Sequence, residues 1–548
     1  MRHVATVRAD RTSASCDNAV GRAIACPGTP PRWRVGRRNT VNGEKSERTE
    51  RDPTEGSIVA RVGLALGPLL ASAVYLATAG SEAEPAGLDL GGRATAAVAA
   101  WMAIWWLSEA VPIYATALLP LALFPLLGIA DAKAAAAPYA HPLIFLFMGG
   151  FMLALAMQRC GLHRRFALAT LVLVGDRPAN MVAGFMAVAA LLSMWVSNTA
   201  TAVMMLPVGV SVLELAEQRA PASWDEDKRH DFGLALLLGI AYGASIGGVA
   251  TPIGTPPNLF LISFLSSELG VEVSFGRWMM IGLPLAAIML PATWWLMVHR
   301  IFSVPSERLE GGRGVIASDL RALGVMTQAE RIVLGVFCSV CFCWLAKPLL
   351  VGFEIAGLRP LAGLHDAGIA MTGALVLFCL PDGRGERVLT WETATRLPWG
   401  ILILFGGGLS LAAAIGSNGV DDWIGAQSSI LAGLPPAAIV VAVVAGMVFL
   451  TELTSNTAST AALVPILASL AAGLSLSPLA LAVPAALAAS FAFMLPVATP
   501  PNAVIFGSGR VGLRDMIRAG LWLNAIGIVA ISALTFLVVL PLLVSAGE

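Results

Sequence analysis

The chain has 548 residues, 57% of them hydrophobic and only 13% charged, with a mean hydropathy of +0.77. Soluble globular chains carry about 25% charged residues, so this composition excludes a single soluble core. A formal net charge of zero gives nucleic acid nothing to hold.

Residues 1–57 are rich in Arg, Ser, Thr, Gly and Pro without periodicity and read as a disordered tail. The first apolar run starts only near Ile58, so no signal peptide is read. Arg34, Arg37, Arg38, Arg48 and Arg51 precede it, which places the tail on the cytoplasmic side. Apolar segments of about 20 residues, the length that crosses a bilayer, then recur. They begin at Ile58–Thr78, Ala94–Val111, Ala115–Ile129 and Pro142–Met157. Met181–Leu215, Phe232–Leu265, Met279–Val298, Ile332–Leu350 and Gly368–Leu380 follow. Gly400–Ile415, Pro435–Leu470, Leu479–Phe506 and Ala519–Val544 complete the set. Met181–Leu215 and Pro435–Leu470 are too long for one span and are broken by Ser-Asn-Thr. Phe232–Leu265 and Leu479–Phe506 are broken by Thr-Pro-Pro-Asn. Interrupted spans point to a transporter site near the bilayer midplane. The polar stretches Glu307–Arg321 and Asp382–Arg396 read as loops or interfacial helices.

The breaks repeat. Ser197-Asn198-Thr199-Ala200 recurs 258 positions on, as Ser455-Asn456-Thr457-Ala458. Pro207 and Pro465, Gly149-Gly150 and Gly407-Gly408, and Phe147 and Phe405 keep that offset. Thr255-Pro256-Pro257-Asn258 recurs as Thr499-Pro500-Pro501-Asn502 at an offset of 244, the polar loop Pro221–Asp231 accounting for the difference. Gly161–Arg165 reads GLHRR where the second half reads GSNGVDD. Basic residues prefer the cytoplasm, which leaves the acidic match free to be outside and supports an inverted repeat.

Ser, Asn and Thr are good helix N-caps, yet here they interrupt apolar stretches. A re-entrant hairpin with a polar tip accommodates them, and its unpaired backbone groups need partners that lipid does not offer. Thr255-Pro256 and Thr499-Pro500 read as an N-cap followed by proline at the first helical position, where its missing N–H is harmless. Four helix N-termini then converge and favour an anion. Oxygen ligands without a carboxylate suit Na⁺ better than a transition metal. No Lys or Arg lies within the motif segments, so co-bound cations are expected to balance the anion. The stretches GGF at 149–151 and GGG at 406–408 read as close helix packing. Glu109 reads as an interfacial or capping residue, Glu452 as a hydrogen-bonding group within the hairpin, with proton or ion coupling next. His141 is placed at an interface, and Lys347 is expected to snorkel. Cys338, Cys341 and Cys343 cluster on an apolar span without the polar surroundings a metal site wants, and read as lipid- or core-facing.

These motifs resemble the divalent anion/sodium symporter (DASS) family, from about Ile58 to the C-terminus. The resemblance is carried by WWLSEAVPIYATALLP (105–120), FMGGFMLALAMQ (147–158), SNTATAVMMLP (197–207) and YGASIGGVATPIGTPPN (242–258). It continues in ILFGGGLSLA (403–412), TELTSNTAST (451–460) and LPVATPPNAVIFGSG (495–509). It implies an all-α polytopic membrane protein with about eleven transmembrane helices and two opposed re-entrant hairpins. It further implies a scaffold plus a transport domain that moves like an elevator, and a homodimer in the plasma (inner) membrane. The first helix would be 58–78. The first repeat would be 94–320 with hairpin 181–215, and the second 331–548 with hairpin 435–470. Carried over by motif, one sodium site would use Ser193, Ser197, Asn198 and Gly254. The other would use Thr451, Thr454, Asn456 and Ala498. The repeat relates the two independently, since 451 lies 258 beyond 193. Substrate carboxylates would meet Asn198, Thr199, Asn456 and Thr457, with Thr255 and Thr499 alongside.

The function implied is sodium-coupled symport of C4-dicarboxylates such as succinate, malate and fumarate. The alternatives are a sulfate or tricarboxylate carrier, or a sodium-independent exchanger of the same fold. An enzyme would need a nucleophile–base pair or a metal cluster within the spans, and none is read. A channel would want a filter ring made by oligomerisation, which an internal repeat with broken helices does not favour.

Overall fold

The computed structural model describes residues 58–79, 87–221, 223–309, 311–354, 358–431 and 433–544; the tail expected at 1–57 lies outside them. Among these residues, nine helices are long and apolar enough to cross a membrane, and five shorter apolar helices accompany them. The most enclosed is Glu226–Val249, whose apolar window is 94% buried. The windows of Ile58–Ala77 and Gln328–Val351 are only 22% and 17% buried. In an aqueous protein such exposed apolar faces would be unstable; against acyl chains they are at home. The chain is a multi-pass membrane protein.

Every long apolar stretch divides at its polar motif. Met181–Leu215 becomes the helices Pro178–Ser193 and Asn198–Arg219, joined by a short turn. Pro435–Leu470 becomes Pro436–Thr451 and Asn456–Gly473. Phe232–Leu265 divides into Glu226–Val249 and Pro256–Glu268, and Leu479–Phe506 into Leu479–Ala489 and Pro500–Gly507. Proline at the second break starts a helix in each half, as its fixed φ and missing N–H dictate.

Element boundaries follow the sequence repeat closely. Helices start at Leu162 and Val420, at Pro178 and Pro436, and at Asn198 and Asn456, all 258 residues apart. Gly161 and Gly419 precede the first of these pairs with φ of 80° and 66°. A side chain there would meet its own backbone, so glycine turns the chain from membrane helix to surface helix in both halves. The repeat also reaches further than the motifs. Phe275–Leu296 and Leu513–Leu534 each run 22 residues and pass directly into five-residue π turns, Met297–Ile301 and Thr535–Val539. No sequence motif announced those turns.

The two halves interlock. Pro256–Glu268, of the first, packs on Asn456–Gly473 of the second. Pro500–Gly507, of the second, packs on Asn198–Arg219 of the first. The Tyr242 hydroxyl donates to the Phe493 carbonyl across the same seam at 3.0 Å.

Lys347 does not snorkel. Its Nζ lies 3.0 Å from Asp366 Oδ1, and the other oxygen of Asp366 accepts the Phe275 N–H at 3.2 Å. Asp366 is a buried carboxylate at the start of helix Asp366–Cys379, and a buried charge requires a counterion. Lys347, on the neighbouring helix Gln328–Val351, supplies it. The polar stretch Asp382–Arg396 starts as a loop closed by a bridge between Pro381 and Arg387 and continues into the short helix Trp391–Ala394. There the N–H groups of Arg384 and Glu386 donate to Asp382 and hold its carboxyl below the usual range.

Candidate functional site

The four helix starts created by the motifs open onto one cavity of about 690 Å³. Ser197, Asn198 and Thr199 line it from the first helix pair, and Thr454, Ser455, Asn456 and Thr457 from the second. Gly254, Thr255, Ala498 and Thr499 close it from the two broken helices. Ser197 Oγ caps its helix by accepting from Ala200 N at 3.3 Å. Thr499 Oγ1 caps by accepting from Asn502 N at 3.4 Å. Thr255 and Ser455 stand at N-cap positions without a side-chain cap bond. Four helix N-termini around one space provide N–H groups and partial positive charge for an anion.

Behind each tip, an asparagine is held by a hydroxyl. The Ser193 hydroxyl donates to Asn198 Oδ1, and Thr451 Oγ1 donates to Asn456 Oδ1 at 2.5 Å. Ser193 and Thr451 are fully buried and do not reach the cavity wall. The Thr454 hydroxyl shares a 2.7 Å hydrogen bond with Ser459. Close packing completes the first site: a methyl on Gly254 would sit 2.4 Å from the Gly248 carbonyl oxygen, and one on Gly248 would sit 2.5 Å from Asn198 Oδ1. In the second half the matching residues are Ala492 and Ala498. In the first half Ser193 bonds to Asn198 and Gly254 packs through Gly248 against it; in the second Thr451 bonds to Asn456, and Thr454 and Ala498 line the same cavity. Such neutral oxygen donors fit a small hard cation.

The unwound segments are held alike. Asn258 Nδ2 donates to the carbonyls of Gly248, Val249 and Thr251 at 2.8–3.2 Å. Asn502 Nδ2 donates to those of Ala492 and Leu495 at 3.2 and 3.1 Å. The asparagine of Thr-Pro-Pro-Asn thus ties the carbonyls that the helix break leaves free.

The family described as the sodium:sulfate symporter transmembrane region matches residues 68–544. The chain belongs to this family, the divalent anion/sodium symporters. It is a transporter, not an enzyme. It is 39% identical over 490 residues to the sodium-dependent dicarboxylate transporter SdcS of Staphylococcus saprophyticus, covering 88% of this chain and 92% of that one. It is likewise 39% identical over 481 residues to SdcS of Staphylococcus aureus strain USA300, covering 87% and 91%. Among solved structures it is similar to the YdaH transporter of Alcanivorax borkumensis, at 13% identity and TM-score 0.51, over 87% of this chain and 96% of that one. It is also similar to MtrF of Neisseria gonorrhoeae, at 13% identity and TM-score 0.54, over 88% and 94%. At that identity the two structures support the fold alone.

Within this symporter framework, the cavity has a second wall that the helix-break motifs did not reveal. Glu109, Tyr114, Gln158 and Arg396 line it. Glu109 is the C-cap of helix Leu90–Ser108, in the left-handed region at φ 48°, so the capping role holds and a cavity-facing one is added. The motif segments hold no Lys or Arg, yet Arg396 brings a side-chain cation to the border of the site. It lies outside the motif segments, in the turn before helix Trp399–Ser417. The glycine pairs, by contrast, serve packing: a methyl on Gly407 would sit 2.2 Å from the Ala117 carbonyl oxygen, and one on Gly149 would sit 2.7 Å from Ala370.

Glu452 clamps the second unwound segment. Its carboxyl group accepts from the N–H groups of Phe493, Met494 and Leu495 at 2.8–3.1 Å. It also accepts from Asn524 Nδ2 at 2.7 Å. The matching position in the first half is Met194, whose carbonyl instead accepts from Thr251 Oγ1 at 2.5 Å. Truncating Glu452 leaves the buried Phe493 N–H, the half-buried N–H groups of Met494 and Leu495 and the buried Asn524 amide without this partner. Glu452→Ala is expected to destabilise the protein by at least about 1–3 kcal/mol, the cost of a buried donor left unpaired, and Glu452→Gln by less. Thermal unfolding in detergent reads the effect; an unchanged Tm for Glu452→Ala would remove the clamp.

Proposed function

We propose that this chain carries C4-dicarboxylates such as succinate, malate and fumarate across the plasma membrane together with Na⁺. The observation that carries the reading is the single cavity bordered by both Ser-Asn-Thr tips and both Thr-Pro-Pro-Asn starts. The two SdcS relatives, named as sodium-dependent dicarboxylate transporters, support the substrate class and the ion. Sulfate, named in the family description, is the competing substrate. A cavity with N–H donor tips on two sides favours an anion with a carboxylate at each end.

In this mechanism one sodium ion is held by Ser193, Ser197, Asn198 and Gly254. A second is held by Thr451, Thr454, Asn456 and Ala498. Each asparagine serves ion and substrate: its oxygen faces the cation side, and its amide N–H₂ and the helix start beside it face a carboxylate. Thr199 and Thr457 donate to the two carboxylates, with Thr255 and Thr499 alongside. The loaded helix pairs form a transport domain that slides within a scaffold in elevator fashion, the two repeats being inverted and the protein a homodimer. Uptake of labelled succinate into proteoliposomes under a Na⁺, K⁺ or proton gradient, with sulfate as competitor, tests this. Sodium-driven uptake is expected. Uptake that ignores Na⁺ overturns the symport reading, and competition by sulfate as strong as by malate overturns the C4 preference.

The inverted arrangement has its own expected result. The N-terminus and His163–Arg165 should be cytoplasmic, and Asp421-Asp422 and the C-terminus external. Single cysteines at these places are expected to react with impermeant reagents from opposite sides. Labelling of both termini from one side contradicts the arrangement.

A further inference from the structure

A second cavity, of about 520 Å³, adjoins the first. Both are bordered by Leu155, Gln158 and Arg396, so the outer one is a vestibule and these residues form its threshold. The vestibule's other arginine, Arg159, is committed: it donates to the carbonyls of Arg387 and Val388 at 2.9 and 3.2 Å and is paired with Glu386. Arg396 is not committed in this way. Its nearest carboxylate, Glu392, lies 3.9 Å away, beyond hydrogen-bonding range, and the two side chains are 72% and 86% exposed. Its backbone is well fixed, with Arg396 N bonded to Thr393 O and Leu397 N to Ala394 O, both at 3.1 Å, and Pro398 follows. Among the residues bordering the inner cavity, the charged side chains are Glu109 and Arg396.

We propose that Arg396 is a capture residue for the dianion, binding one carboxylate at the threshold before the substrate passes to the helix tips. This rests on the reading that the inner cavity holds the substrate. An exposed guanidinium at a cavity mouth attracts a dianion over the screening length, about 30 Å at 0.01 M salt and about 8 Å at 0.15 M. Charges at a rim act on association more than on final affinity. The capture step therefore works only from the membrane side onto which the vestibule opens. Arg159 ends the helix that leads into His163–Arg165, the segment expected to be cytoplasmic.

Inside-out and right-side-out membrane vesicles expose opposite ends of the carrier and test this. For Arg396→Gln, the succinate KM for sodium-driven uptake is expected to rise about threefold to tenfold at low ionic strength, with most of kcat retained. The rise should be confined to one vesicle orientation and should shrink at high ionic strength. Arg396→Lys should restore the wild-type profile. Glu392→Gln, which removes the nearby carboxylate, should shift KM the opposite way in the same orientation. An unchanged KM in both orientations, or an equal loss in both that ignores salt, overturns the proposal. Asn456→Ala, run in parallel, reports on the site itself. Normal uptake by that variant defeats the cavity reading, whereas its failure beside an unaltered Arg396→Gln defeats the capture role alone.

Discussion

Asn198→Ala and Asn456→Ala are each expected to lose sodium dependence and succinate uptake together. Each asparagine stands at a helix start, lines the cavity and accepts a buried hydroxyl, from Ser193 in one case and Thr451 in the other. Removing the amide orphans the Ser193 hydroxyl, which costs about 1–3 kcal/mol, while Thr451 keeps the Ala489 carbonyl at 3.0 Å; either change deletes an oxygen from the cation side and a donor from the anion side. With tenfold for every ~1.4 kcal/mol, the concentration of Na⁺ for half-maximal uptake and the succinate KM should each rise roughly tenfold to a hundredfold. Uptake into proteoliposomes across a series of Na⁺ concentrations measures both. A variant that keeps normal uptake with normal Na⁺ dependence would place the ion elsewhere than at the tips.

Withdrawal of Na⁺ is expected to have an equally large effect on substrate binding. Without it, the dianion faces helix ends worth only about +0.5 charge each and the single guanidinium of Arg396 on the far wall. Shedding its water still costs several kcal/mol per ion. Succinate should bind roughly a hundredfold more weakly in choline than in Na⁺, a difference of about 2.7 kcal/mol. Its affinity should rise with Na⁺ more steeply than one ion permits. By reciprocity, succinate should tighten Na⁺ binding by the same factor. Calorimetry on purified protein reads both directions. Equal succinate affinity in Na⁺ and choline would leave a sodium-independent exchanger as the better account.

The helix breaks were legible in the sequence because lipid tolerates polar backbone only where a protein encloses it. Four polar interruptions of apolar stretches, repeated at fixed offsets, therefore announced the tips, and the structure gathers them around one cavity. Glu452 was legible as a hydrogen-bonding group, but its partners, Phe493–Leu495 and Asn524, lie 41 to 72 residues further on and depend on folding. Gln158 and Arg396 were missed for a similar reason. They sit beyond the broken helices, on segments whose local pattern is that of a helix end and a surface turn. Lys347 was misread because a lone lysine near a span end usually reaches for the interface. Its partner Asp366 was hidden in the start of the next helix.

The crossed packing of the two halves bears on biogenesis. Asn198–Arg219 leans on Pro500–Gly507, so its partner is synthesised nearly 300 residues later. At ~5–20 residues per second, the first tip waits roughly 15 to 60 s for the helix that covers it. During that interval a polar Ser-Asn-Thr turn must persist in the bilayer without that neighbour, shielded by whatever the insertion machinery provides. The first half alone thus lacks the second-half helices that pack on it. Ribosome pausing or truncation ahead of residue 500 should yield a product that quality-control proteases remove, whereas two separately expressed halves should rescue one another in the same membrane.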